Sequence, residues 1–119
     1  MYEHSCSDRC TLIRAWHGWT TPDNADVYET LLQRQVFPGI AAKGVRGYRG
    51  IQLLRRDGDE EVEFVTLMTF GSWEAVRAFA GPDVTAAVVP DEARALLARY
   101  ARRSFHYELR AAIPAASTT

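Results

Sequence analysis

The sequence predicts an α+β fold in which the elements run βαββαβ and one antiparallel sheet carries its helices on a single face. Three stretches predict it. Residues 64–70, in a strand over 62–70, are apolar, aromatic or β-branched at nearly every position and run through Gly71 and Ser72 straight into a short amphipathic helix. Asp57-Gly58 separates that strand from an earlier one over 48–56, a strong hairpin signal. Thr21-Pro22, directly after an alternating strand at 11–19, offers a capping hydroxyl and then proline at the first helical position.

Taken in order, residues 1–10 read as a disordered leader, 11–111 as one ferredoxin-like domain and 112–119 as a flexible tail. In the first strand Ile13, Ala15, His17 and Trp19 point one way, and Leu12, Arg14, Trp16 and Gly18 the other. The first helix lays Ala25, Tyr28, Leu32 and Val36 along one stripe, and Pro38-Gly39 ends it near Phe37. A two-residue turn at Asp57-Gly58 pairs Arg56 with Asp59 and Arg55 with Glu60. It also sets Ile51 beside Phe64, Leu53 beside Val62 and Gln52 beside Glu63. Ser72 caps the second helix, Glu74 meets the positive end of its dipole, and Gly81-Pro82 stops it. Val84 to Val89 is apolar and broken by Pro90. Residues 91–100 resume a helical pattern through Ala93, Leu96, Leu97 and Tyr100, and 102–110 alternate as a half-polar last strand.

With 119 residues, 47% apolar and 24% charged, the chain has the composition of one soluble globular domain. A net charge of -1 and a pI near 6.3 provide no basic face for a nucleic acid or an acidic membrane. No apolar run reaches the roughly 18 residues that span a bilayer, and the leader lacks a signal-peptide core, so the expected location is cytoplasmic. A metal site from His4, Cys6, Cys10 and His17 can be drawn, but Cys-x3-Cys without a second ligand pair is a weak signal. The two cysteines read as incidental thiols. No P-loop, dinucleotide glycine fingerprint, nucleophile elbow or zinc spacing is present, so neither a cofactor nor a metal is expected.

A sheet with helices on one face should be polar on the other. The third strand is polar on neither, with Val65 and Leu67 on one side and Phe64, Thr66, Met68 and Phe70 on the other. A second copy is the economical cover, which predicts a homodimer packed sheet to sheet.

Over residues 11–110 the chain resembles the antibiotic biosynthesis monooxygenase superfamily of dimeric α/β barrels. The resemblance is carried by Trp16-His17-Gly18, Tyr28-Glu29, Gly47-Tyr48-Arg49-Gly50, Leu54-Arg55-Arg56 and Phe70-Gly71-Ser72. Phe79-Ala80-Gly81-Pro82-Asp83, Val88-Val89-Pro90 and His106-Tyr107-Glu108 complete it. It implies a pocket between sheet and helices, bordered by the junction of the third strand with its helix. Members oxidise anthrones or quinols with dioxygen and no added cofactor, degrade haem, or isomerise small metabolites; related barrels cyclise polyketides. The residues that haem-degrading members use correspond to Ala15, Phe70 and about Val88, and none of the three matches. Anthrone-oxidising members carry tryptophan at the Phe70 position and asparagine where Thr66 stands, so their chemistry does not transfer residue by residue.

Within that frame His17 is the candidate base, because it shares a strand face with Ala15 and histidine titrates near neutral pH. The competing reading is a histidine satisfied by a structural hydrogen bond. Phe70 and Trp73 offer an aromatic wall for a planar ligand, or plain core. Arg14 and Arg49 can hold an anionic oxygen, Thr66 can orient a carbonyl, and His106 either faces the substrate or ties strands together. Arg55 and Arg56 read as a solvated hairpin tip. Three functions compete: a cofactor-independent monooxygenase acting on an aromatic polyketide-like anthrone or quinol, a polyketide cyclase or isomerase in the same barrel, and a non-catalytic ligand-binding accessory dimer.

Overall fold

A computed structural model describes residues 10–116. His4, Cys6 and the last residues of the expected tail lie outside the described residues. Cys10 is disulfide-bonded and packs half-buried against the core, which corrects its reading as an incidental thiol.

The chain order is β1 (Leu12–Thr20), α1 (Pro22–Leu31), a π-helical turn (Leu32–Val36) leading into α2 (Phe37–Ala42), β2 (Tyr48–Asp57) and β3 (Val62–Phe70). Then come α3 (Trp73–Ala80), α4 (Asp91–Leu96), β4 (Arg99–Tyr100) and β5 (Phe105–Glu108). The strands form one antiparallel sheet in the order β2-β3-β1-β4, with β5 also on β1. β4 and β5 together occupy the place of one last strand, so the topology is ferredoxin-like. The helices cover one face: Tyr28 of α1 meets Phe64 edge-on at 4.9 Å and Phe79 of α3 meets Phe70 at 5.7 Å between ring centroids.

The local signals explain where elements begin. Thr21 accepts from the Asn24 amide with Pro22 at the start of α1, and Ser72 accepts from the Ala75 amide at 3.1 Å to start α3, each cap worth about 1 kcal/mol. Gly81, at φ +90°, ends α3. Five expectations fail for identifiable reasons. The first helix does not stop at Pro38-Gly39 but continues to Ala42, because a π turn, with the Phe37 amide donating to the Leu32 carbonyl, reroutes the backbone where proline lacks its own N–H. The hairpin register is shifted by four residues, with Asp57 opposite Val62, Arg56 opposite Glu63 and Ile51 opposite Met68. Residues 58–61 form the loop, closed by the Gly58 amide on the Glu61 carbonyl at 2.9 Å, which leaves Asp59 and Glu60 in solvent instead of extending the ladder. Arg55 is not a solvated tip residue. It bonds Asp26 and Glu29 of α1 as well as Asp57, tying helix to sheet edge.

The last helix ends at Leu96 rather than running to Tyr100, because Arg99 and Tyr100 pair with Trp19 and Gly18 on β1. The last strand is then broken. Residues 102–104 pair with 85–87 through Ala87 N–H to Arg102 O and Ser104 N–H to Thr85 O, which pulls them off β1 before β5 resumes.

Strand parity and register place Leu12, Arg14, Trp16, Gly18 and Thr20 of β1 on the helix side, with Phe64, Thr66, Met68 and Phe70 of β3. The buried residues form two apolar clusters rather than one. The first gathers Leu12, Met68, Phe70, Ala75 and Val76; the second gathers Ala25, Tyr28, Leu32, Val62, Phe64 and Ala93.

Gly47 has φ +91°, and a Cβ there would come within 2.8 Å of the Ala75 Cβ. Gly47→Ala is therefore expected to cost about 1–3 kcal/mol in urea unfolding. Gly39→Ala, on an open stretch of α2 with nothing within 4 Å of its Cβ, should be neutral or stabilise by up to about 1 kcal/mol.

Candidate functional site

The space between the two apolar clusters is a cavity. Its floor is the sheet, through Arg14, Trp16, Thr66 and Met68, and its roof is Tyr28, Leu32 and Val36 of the helix. Phe79 and the 88–90 segment close the sides, with Ser104 at one end. About 510 Å³ lies outside the protein atoms, solvent at the mouth included, but only about 50 Å³ is wide enough for water. A groove lined by Gln35, Lys43 and Glu92 adjoins it, sharing Val36, Ile40, Phe79, Val88 and Pro90 as walls, with about 300 Å³ wide enough for water. Ligand sites for small organic molecules usually measure about 300–1,000 Å³. Val88, 45% exposed, and Pro90 are the exposed parts of the wall that the cavity and the groove share.

Arg14 is the dominant electrostatic feature. It is 2% exposed, and its Nη1 donates to the Val84 carbonyl and to His106 Nε2 at 3.0 Å, while Nη2 donates to the Ala86 carbonyl at 2.8 Å. The guanidinium also lies 5.5 Å from the centroid of the Phe79 ring. No described carboxylate lies within ion-pair distance of it, and burial alone pulls its pKa down. Burying a cation without a counter-ion costs several kcal/mol, which marks this residue as more than a strap for the 84–86 segment.

His106, on β5 opposite Arg14, must accept through Nε2 because arginine only donates, so its proton sits on Nδ1. Burial, and then the Arg14 charge, pull its pKa down to about 4. Trp73 packs on its other side, ring centroids 5.3 Å apart. Trp16 lies along β1 with Nε1 donating to the Ala101 carbonyl at 2.7 Å, over Gly18, where a Cβ would meet the indole at 2.9 Å.

Of the residues singled out in the sequence, Arg14 and Thr66 line the cavity, and His106 and Trp73 stack behind Arg14. Phe70 is fully buried in the first apolar cluster and Arg49 is exposed, donating to Thr11 Oγ1 at 3.1 Å; neither borders the cavity. His17 is on the opposite face of the sheet from the cavity, with Nδ1 2.8 Å from Glu63 Oε2. Ala15 shares that face, so the expectation that its side of β1 borders the pocket is corrected: the cavity side is that of Arg14 and Trp16. Glu63 is held by His17 and Arg56, and those bonds, His17 first, lower its pKa. Sequence reasoning did not single out Ser104, Tyr28 or Trp16 as site residues, though all three line the cavity. Among the described residues no group of three or more His, Cys, Asp or Glu side chains is placed to hold a metal.

No protein-family model matches the chain, and no curated protein does. A solved structure does match: a Bacillus cereus protein provisionally called an antibiotic biosynthesis monooxygenase, at a TM-score of 0.61 and 14% identity, over 89% of this chain and 99% of that one. The chain shares the fold of that protein. At that identity the likeness is one of fold, and the match spans nearly all of the Bacillus protein.

The His106 environment predicts a pH dependence. Its folded pKa, about 4, lies below the unfolded value near 6.5, so the unfolded chain binds the extra proton first and stability falls as pH drops through that window. Urea unfolding between pH 7 and 4 should show a loss of about 1–3 kcal/mol that His106→Gln removes. The lowered carboxylate of Glu63 contributes its own loss only below its ordinary range, at the acid end of the titration.

Proposed function

We propose that this chain is a small-molecule enzyme, a cofactor-independent monooxygenase that oxidises an aromatic, polyketide-like anthrone or quinol with dioxygen in the cavity between sheet and helices. The observation that carries this reading is the buried Arg14, with no described carboxylate beside it, in the wall of a cavity lined mostly by apolar and aromatic side chains. The shared fold supports the reaction class. An anthrone methylene, its acidity raised by Arg14 beside the carbonyl oxygen, loses a proton to solvent base at the cavity mouth and gives an enolate. The enolate passes one electron to dioxygen, and the resulting radical and superoxide combine as a peroxide that takes up a proton. Loss of water leaves the new carbonyl, so one dioxygen is consumed and one water formed per quinone. Arg14 stabilises the enolate oxygen, and the apolar walls exclude bulk water from the intermediates.

A second reading has its own support. His17 is on the far side of the sheet and His106 is held neutral with a pKa of about 4, so the cavity offers neither histidine as a base near neutral pH. That favours a non-catalytic ligand-binding dimer.

The homodimer belongs to the same proposal. The helix-free face presents Ile13, Ala15, Val65 and Leu67 in its middle, with Leu54, Phe105 and Tyr107 exposed at 48%, 61% and 59%. A second copy of the same face buries this surface, and the His17–Glu63–Arg56 network lies on that face too. Light scattering at micromolar concentration should give twice the chain mass, and Phe105→Asp combined with Leu54→Asp should give a monomer.

Oxygen uptake with an anthrone and quinol panel tests the activity. Val88→Trp, at the wall between groove and cavity, should lower turnover at least about tenfold while changing stability by less than about 0.5 kcal/mol. No uptake from any panel member, with ligand binding intact, would transfer the assignment to the accessory dimer.

A further inference from the structure

We propose that the cavity takes its ligand as an oxyanion, a phenolate, enolate or carboxylate on an aromatic body, and that Arg14 recognises that charge. The proposal rests on the small-molecule reading above and specifies what enters the site. A guanidinium has five N–H donors. Arg14 uses three of them, on the Val84 and Ala86 carbonyls and on His106 Nε2. Its Nε–H and one Nη2–H have no partner among the described residues, and no described carboxylate balances the charge. The hydroxyl-bearing residues Tyr28, Thr66 and Ser104 border the same cavity and are at most 8% exposed. A neutral hydrocarbon would leave those guanidinium donors unsatisfied, whereas an oxyanion accepts from the guanidinium and a neighbouring hydroxyl together.

The 84–86 strap does not account for this arrangement, since two carbonyls need two donors and no charge. A weakly acidic phenol would bind after its O–H bond has broken, the electron pair staying on oxygen and the proton passing to solvent. Its apparent affinity then rises with pH through its own pKa. Lys43, at the rim of the groove, is the other cation near the entrance and the alternative source of any anion preference.

Calorimetric titration with 1-naphthoate and with 1-naphthamide, a neutral molecule of the same size, decides the matter. Wild type should bind the carboxylate at least about tenfold tighter than the amide. Lys43→Gln, a surface change, should keep that preference, and Arg14→Gln should reduce it to within about twofold while still binding the amide. Equal affinity for the two ligands, or a preference abolished by Lys43→Gln, overturns the proposal and leaves the small-molecule reading standing. If neither ligand binds, both fall. Should Arg14→Gln fail to fold, Thr66→Val serves in its place: the naphthoate affinity should drop more than the amide affinity, and equal drops overturn the proposal.

Discussion

Arg14 is removed from water with no described carboxylate beside it, and the centre of the molecule is arranged to make that tolerable. A guanidinium in an apolar interior must find acceptors, and the backbone supplies them only where it is irregular, because carbonyls inside ladders are already used. The 84–86 segment is such a place, and it sits over the sheet with two of its carbonyls turned onto Arg14. β5 completes the shell by placing His106 opposite Arg14 in register, where a neutral ring can accept. The Phe79 face adds its quadrupole. Strand, segment and helix therefore converge on one charge, and the apolar residues divide into clusters on either side of the gap it borders.

Where the sequence was legible, the determinants were local. Thr21-Pro22, Ser72 and Gly81 each act within one turn of their own position, so α1 and α3 start, and α3 stops, where those residues indicate. β3 was equally readable because its residues from 64 to 70 form a nearly unbroken run of apolar and β-branched side chains. What failed depended on distant partners. The register of β2 follows β3, which is fixed on its other side by the nine-residue ladder with β1. A matching of charges across Asp57-Gly58 is worth too little to resist that. Tyr100 looked like the next turn of a helix, but an open edge of β1 competes for it, and nothing in residues 91–100 records that edge.

The site was half legible for a similar reason. Alternation sorts β1 into two sets of side chains but does not say which set the helices cover, and the side of Ala15 and His17 is the one that faces away from the cavity. Once the face is known, Arg14 and Thr66 follow from parity alone. Ser104 and Tyr28 could not be found that way, since they meet only after the 84–90 segment and the helix have folded over the sheet.

Gly18 carries a consequence for how such a protein changes over time. The Trp16 indole lies along the strand because position 18 is bare, with its ring edge 2.9 Å from where a first carbon would be, and Leu97 at 3.0 Å on the other side. The space left for a ligand is thus set partly by a residue that does not touch it. A single added methyl would have to tilt the indole into the cavity or break its bond to Ala101. Lineages that diverge in what they bind can accordingly do so from behind the wall, leaving every contacting side chain as it was.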